Sequence, residues 1–292
     1  MRNVDFSSLK AQIEQLGHKK PKRTPPDPRF YNLTFPEGEN RATAVIRFLL
    51  PKEGDPNFIV GVKDHWFEYE TPMGKRKFYV NCPKTLNQKC PICDYAFNHK
   101  EDKSKMASEH FIANILVIRD PNNPDNEGKV FLFRFKRDVW KKIEQKITPE
   151  DPEIDPPVNI FDVENGANLK LVGVKKSVPG FSKLVTRYDE SAWMQTGPIV
   201  IKGEKMSGDF LESLDEKVYS LAEFVAPEKF KSYEELQGLF DQAMNTLSEV
   251  PIDNAPAEKE SAPTPAPEAP KTESNKFVSA PDTVGDDFFD TI

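Results

Sequence analysis

Cysteine is scarce in this chain, with three among 292 residues, at Cys82, Cys90 and Cys93. Three thiols cannot pair completely, so no disulfide framework is expected. No apolar run approaches the roughly 20 residues that cross a bilayer, so a membrane span is not expected either. The start, Met1-Arg2-Asn3-Val4-Asp5, lacks the apolar stretch of a secretion signal. Free thiols without such a signal point to a reducing, intracellular compartment. The phosphate loop G-x-x-x-x-G-K-[ST], the nucleophile elbow G-x-S-x-G and the protease helix H-E-x-x-H are all missing. No segment repeats, and nothing in the sequence reads as catalytic.

What is present starts with those same cysteines. Cys90-Pro91-Ile92-Cys93, with Cys82 a short distance ahead, has the spacing of metal ligands. Three thiolates need a fourth ligand to close a tetrahedral zinc site, and only His18, His65, His99 and His110 are available. His65 lies at the edge of a strand-like run before Cys82, and His99 follows Cys93. Both are candidates. A site with four protein ligands is closed, so one zinc ion held there would be structural. Zinc deaminases of nucleobases carry H-x-E and P-C-x-x-C, with a water as the fourth ligand. Here Glu68 follows His65 one position too far, and Lys89 stands where the proline would be. A deaminase is therefore the weaker alternative, beside a zinc-ribbon RNA-binding or transcription factor.

Charge is unevenly distributed. The net value is −7, yet residues 1–24 carry six basic side chains against two acidic ones. Within that arm Phe6, Leu9, Ile13 and Leu16 recur at helical spacing, between a Ser7 cap and a Gly17 stop. The basic hinge Lys19-Lys20-Pro21-Lys22-Arg23 follows, and its proline ends the helix. So short a helix is marginal alone, which gives its apolar stripe a use for a partner surface. At the other end, residues 251–292 carry nine acidic side chains against three lysines, and seven prolines fall within 251–281. Such a segment cannot support a packed core. Its close, Asp286-Asp287-Phe288-Phe289-Asp290, resembles a nucleic-acid strand in outline, carboxylates for phosphates and rings for bases.

Between the flanks the pattern is mainly β. Strands are expected at 44–50, 58–62, 78–80, 111–118, 130–135, 169–174 and 184–186, with the turn-rich 120–128 closing one hairpin. Helices are expected at 138–146, at 214–224 and from the capping box Ser232-Tyr233-Glu234-Glu235, with Leu236, Leu239, Phe240, Ala243 and Leu247 on one face. The fold class is α+β, mainly β: a small, partly open barrel with an inserted zinc subdomain at about 60–110 and peripheral helices. Domain boundaries follow as an arm at 1–24, a core at 25–250 and a flexible acidic tail at 251–292. Basic and aromatic residues interleave in Lys75-Arg76-Lys77-Phe78-Tyr79, in Phe131-Leu132-Phe133-Arg134-Phe135-Lys136-Arg137 and around Phe181 to Tyr188. Rings for bases and cations for phosphates are what single-strand binding requires. Ordinary strand composition produces similar letters.

These residues resemble a known family. Arg41-Ala42-Thr43-Ala44-Val45-Ile46-Arg47-Phe48-Leu49, the His65, Cys82, Cys90-x-x-Cys93 array, residues 113–121 and Asn126-Glu127-Gly128-Lys129-Val130-Phe131 look like the single-stranded DNA-binding protein of T-even-type bacteriophages. So do Gly180-Phe181-Ser182, Tyr188-Asp189-Glu190-Ser191 and residues 230–236. The resemblance covers roughly residues 40–250. It implies an oligonucleotide-binding (OB) barrel with a zinc subdomain, coating single strands cooperatively in replication, recombination and repair within the cytoplasm of an infected bacterium. It implies the ligand order His, Cys, Cys, Cys, which selects His65. It implies DNA contacts at Tyr95, Phe111, Phe133, Phe181 and Tyr188, with Arg47 and Arg134 as cationic partners. It also implies self-association through the N-terminal arm and recruitment of replication and recombination proteins by the acidic tail. The family's basic Lys/Arg-Ser/Thr cluster is absent from both Arg2-Asn3-Val4-Asp5-Phe6-Ser7-Ser8 and Met106-Ala107-Ser108-Glu109-His110. Self-association would then rest on Phe6, Leu9, Lys19, Lys20, Lys22 and Arg23.

Overall fold

Strand alternation explains most of the architecture. In a computed structural model, which describes residues 27–71, 74–177 and 184–245, the chain divides into two compact units. The first holds 27–63, 109–174 and 187–229, and the second holds 64–108, 175–186 and the described residues from 230 on. The arm at 1–24 and the tail at 251–292 lie outside the described residues, as does Phe181.

The first unit is built on β1 (Arg41–Leu49), which pairs antiparallel with β4 (Ser108–Arg119) on one side and β6 (Ala167–Lys176) on the other. Ala42, Ala44, Ile46 and Phe48 alternate along β1 into the largest core, where they meet Ala113, Ile115 and Val117 of β4 and Leu169 and Leu171 of β6. The hairpin expected around 120–128 forms: β5 (Val130–Phe135) adds to β4, with Phe111 opposite Phe135 and Ala113 opposite Phe133. The loop between them is held by buried Asp120, which accepts hydrogen bonds from the Tyr31 hydroxyl and the Asn126 amide. Burial, then the Asp120 charge, raises the Tyr31 pKa far above the ordinary phenol range. Among the described residues no pairing closes the strands into a ring, so the expected barrel is present as an open antiparallel sheet.

Three departures from sequence expectation have physical causes. The helix expected at 214–224 sits earlier, as Gly208–Lys217, because the Ser207 hydroxyl caps its first turn at Phe210 N. It stops there because buried Asn114 takes both backbone groups of Tyr219, donating to its carbonyl and accepting from its N–H at 2.9 Å each. The strand expected at 58–62 extends to Thr71 as β2 (Val60–Thr71) and turns into β3 (Gly74–Asn81). A helix not expected from the sequence follows Cys90, Pro91–Asn98, here α1, with proline at its first position, where its missing N–H costs nothing.

The second unit contains the β2–β3 hairpin from Asp64 onward, α1 and α4 (Tyr233–Asn245), with α2 (Arg137–Ile147) and α3 (Gly208–Lys217) belonging to the first. The remaining strands are β7 (Val185–Arg187), β8 (Ala192–Thr196), β9 (Val200–Ile201) and β10 (Glu204–Lys205). The expected stripe on α4 is present as far as the described residues reach: Leu236, Phe240 and Ala243 are buried, and Ser232 Oγ accepts from Glu235 N, while Leu247 lies outside the described residues. Phe67 and Phe78 face each other across the hairpin, stacked at 4.6 Å, with Phe240 edge-on to both. No helix among the described residues is long and apolar enough to cross a membrane.

Candidate metal centre and nucleic-acid surface

Four side chains from separate stretches of the second unit converge. His65 comes from β2, Cys82 follows β3, Cys90 precedes α1 and Cys93 lies in its first turn. Their ligand atoms all lie within 4.8 Å of one another. Nε2 of His65 is 3.3 Å from Cys90 Sγ and 3.5 Å from Cys93 Sγ, and Cys82 Sγ is 3.5 Å from Cys93 Sγ. Tetrahedral coordination with Zn–S of about 2.3 Å needs sulfurs about 3.8 Å apart, so the set is of the right size for one ion. Soft thiolates with one imidazole suit zinc among the common cations. His65, Cys82 and Cys90 are fully buried and Cys93 is half-buried, which leaves no wide approach for substrate.

The four ligand groups act strongly on one another's protonation. Burial lowers the His65 pKa, but hydrogen bonds to Cys90 and Cys93 outweigh it and push it up to about 9. Hydrogen bonds from Cys90 and Cys93 raise Cys82, while those from Cys82 and Cys93 lower Cys90. The group thus holds protons that a dication would displace. His99, the rival ligand, is outside the cluster: its ring stacks on Tyr95 at 4.0 Å and its Nδ1 meets the Tyr95 carbonyl oxygen. Glu68 is on the opposite face of β2 from His65, ion-paired with Lys77 at 3.8 Å. A carboxylate there cannot serve an ion bound by His65.

The expected DNA contacts fall in different surroundings. Arg47 is 1% exposed, and its guanidinium donates to Asn168 Oδ1, to the Asp162 carbonyl and to the Gly197 carbonyl. Phe133 is also 1% exposed, packed among Tyr31, Phe135 and Tyr188. Neither presents a surface. Phe111 is half-buried, with one face stacked on Trp140 at 4.5 Å. Tyr188 is half-buried, its backbone N–H bonded to Asp138, and burial followed by the Asp138 charge pushes its phenol up to about 12. Arg134 is exposed on the other face of β5, over the ring of Phe30 at 5.2 Å. Lys136 and Arg137 are exposed just beyond it. In the second unit, Tyr95 is half-buried between His99 and the edge of Phe240.

Residues 40–244 match the family model described as gp32 DNA binding protein like. The chain belongs to that family. It is 32% identical over 252 residues to a single-stranded DNA-binding protein of Enterobacteria phage T2, covering 83% of this chain and 78% of the relative. It is 33% identical over 213 residues to the single-stranded DNA-binding protein of Enterobacteria phage T4, covering 70% of this chain and 66% of that one.

Within this family member, the fold brings forward Trp66, Trp140 and Phe97, which sequence reading passed over, and sets Trp66 beside Tyr79 of the basic-aromatic stretch. Trp66 and Tyr79 are direct cross-strand partners on the outer face of the β2–β3 hairpin, 43% and 54% exposed, with Lys77 Nζ 5.6 Å from the Trp66 ring centroid. Period-two alternation was the available signal, since 65 and 67 point inward and 66 outward. Trp140 could be found only from the stacking. Phe97 is 71% exposed on α1 beside Lys100.

Proposed function

We propose that this chain is a non-enzymatic, sequence-tolerant binder of single-stranded DNA, acting cooperatively in phage replication, recombination and repair in the host cytoplasm. Membership of the gp32-like family is the observation that carries this reading. The exposed cations Arg134, Lys136 and Arg137 meet phosphates, and Phe111, Tyr188, Tyr95 and the outward Trp66–Tyr79 pair offer ring faces to bases. Arg47 and Phe133 are assigned to support the surface from beneath. The open sheet serves as the oligonucleotide-binding core, and Phe181 is retained as a contact. One Zn2+ ion held by His65, Cys82, Cys90 and Cys93 is structural, fixing the hairpin to α1.

The deciding experiment is a salt titration of binding to oligo-dT, run with a zinc assay on the same preparation. Affinity is expected to fall linearly on a log–log plot, and replacing Arg134, Lys136 and Arg137 by alanine together should reduce the slope by about two, at roughly 0.7 per contact on a single strand. A slope the triple variant leaves intact would remove these residues from the interface. The arm at 1–24 is assigned to self-association through Phe6, Leu9, Lys19, Lys20, Lys22 and Arg23. Its deletion should weaken binding to long strands but hardly to short ones. The acidic tail is assigned to partner recruitment and to covering the cationic surface when DNA is absent. Its deletion should tighten DNA binding.

A further inference from the structure

Lys105 is 6% exposed, an unusual place for a lysine, which is rarely buried unless paired. It ends a single helical turn, Lys103–Lys105, that Asp102 caps by accepting from Ser104 N. Its ammonium lies 3.4 Å from Asp102 Oδ2, 3.0 Å from Ser104 Oγ and 4.2 Å from the centroid of Phe67. Its backbone carbonyl oxygen is 3.0 Å from Nδ1 of His65. His65 and Phe67 are two residues apart on β2, so they share its inward face. The two ends of one residue therefore grip adjacent inward positions of the same strand: carbonyl on imidazole, ammonium on phenyl ring.

A neutral imidazole has one N–H and one lone pair. If Nδ1 carries the hydrogen and donates it to the Lys105 carbonyl, the lone pair falls on Nε2, the nitrogen facing the Cys90 and Cys93 sulfurs. Partners of this kind orient a metal-bound histidine and fix its tautomer, and losing one typically lowers metal affinity about 10- to 100-fold. Here the partner is a backbone carbonyl, which no mutation removes directly. The cation–ring contact and the Asp102 pair are what hold that carbonyl in place.

We infer that Lys105 is the positioning residue of the metal centre, its buried side chain holding the carbonyl that orients His65. The inference rests on the metal reading above. The test compares full-length wild type with Lys105→Met, Asp102→Asn and Lys105→Arg, each titrated with Co2+ and competed with a chelator, the sulfur-to-cobalt absorption band reporting the bound ion. Lys105→Met and Asp102→Asn should each lose about tenfold or more in affinity. Lys105→Arg, which keeps a cation to stack on Phe67 and pair with Asp102, should restore most of it. Thermal unfolding of the metal-free proteins should be nearly the same for all four. Unchanged affinity in both weakened variants overturns the inference while leaving the metal site standing. An equal loss of stability with and without metal makes Lys105 ordinary packing and also overturns it. A wild type that shows no cobalt band removes both readings together.

Discussion

Arg47 occupies the middle of β1 with its side chain enclosed, and the loop around Asp162 is folded onto its guanidinium. Gly166 fits that loop because a Cβ there would lie 2.3 Å from the Asp162 carbonyl and 2.8 Å from Arg47 Nη1. Arg47→Met should therefore cost about 3 kcal/mol or more in denaturant unfolding, since it leaves several buried acceptors unpaired. The same variant should keep the wild-type salt slope for DNA. A slope reduced by one at unchanged stability would make Arg47 a phosphate contact after all. His110 supplies a pH prediction. Burial, with Arg134 and Lys136 nearby, lowers its pKa to about 4, below the unfolded value of about 6.5. Between those values the unfolded chain binds the extra proton, so stability falls as the pH drops from about 6.5 to 4, by up to roughly 3 kcal/mol. His110→Gln should remove that part of the acid sensitivity in equilibrium unfolding at stepped pH. A loss retained in full by the variant would take the acid sensitivity away from His110.

The β2–β3 hairpin separates what the sequence presents as one signal. Lys75-Arg76-Lys77-Phe78-Tyr79 reads as a continuous basic-aromatic stretch, but pleating sends Phe78 inward against Phe67 and leaves Tyr79 outside beside Trp66. On that outer face Lys75 and Lys77 are paired with Glu70 and Glu68 at 3.7 and 3.8 Å. The face is charge-balanced, so its contribution to DNA binding should be stacking rather than phosphate attraction. Replacing Trp66 and Tyr79 by alanine should then weaken oligo-dT binding by roughly 1–3 kcal/mol per base lost, without altering the salt slope. Unchanged affinity would make the pair a surface accident. The α4 stripe of Leu236, Phe240 and Ala243 was legible because its 3.6-residue period needs only local information. The position of α3 was not. Ser207 starts it, and a hydrogen-bonded partner more than a hundred residues away ends it.

At the scale of the molecule, the two units have separate cores. The clusters around Phe48 and Leu132 belong to the first, while Phe67, Cys82, Cys90, Ile92 and Phe240 share one cluster in the second. Removing the ion with a chelator should therefore raise amide exchange in the hairpin, α1 and α4 well before it does so in β1, β4 and β6. Simultaneous loss of protection in both units would give the metal a larger role than a local brace. The sequence by itself determined the main strands of the first unit and its hairpin at 120–128, the buried stripe of α4, the cysteine spacing and the family, because alternation, period and motif spacing are local properties of the chain. The burial of Arg47 and Phe133 and the contacts of Lys105 with His65 and Phe67 of β2 were decided by tertiary structure alone, which also sets His65, the choice the resemblance implied, beside the cysteines. Each depends on which distant segment arrives to cover a side chain, and no local pattern of residues encodes that meeting.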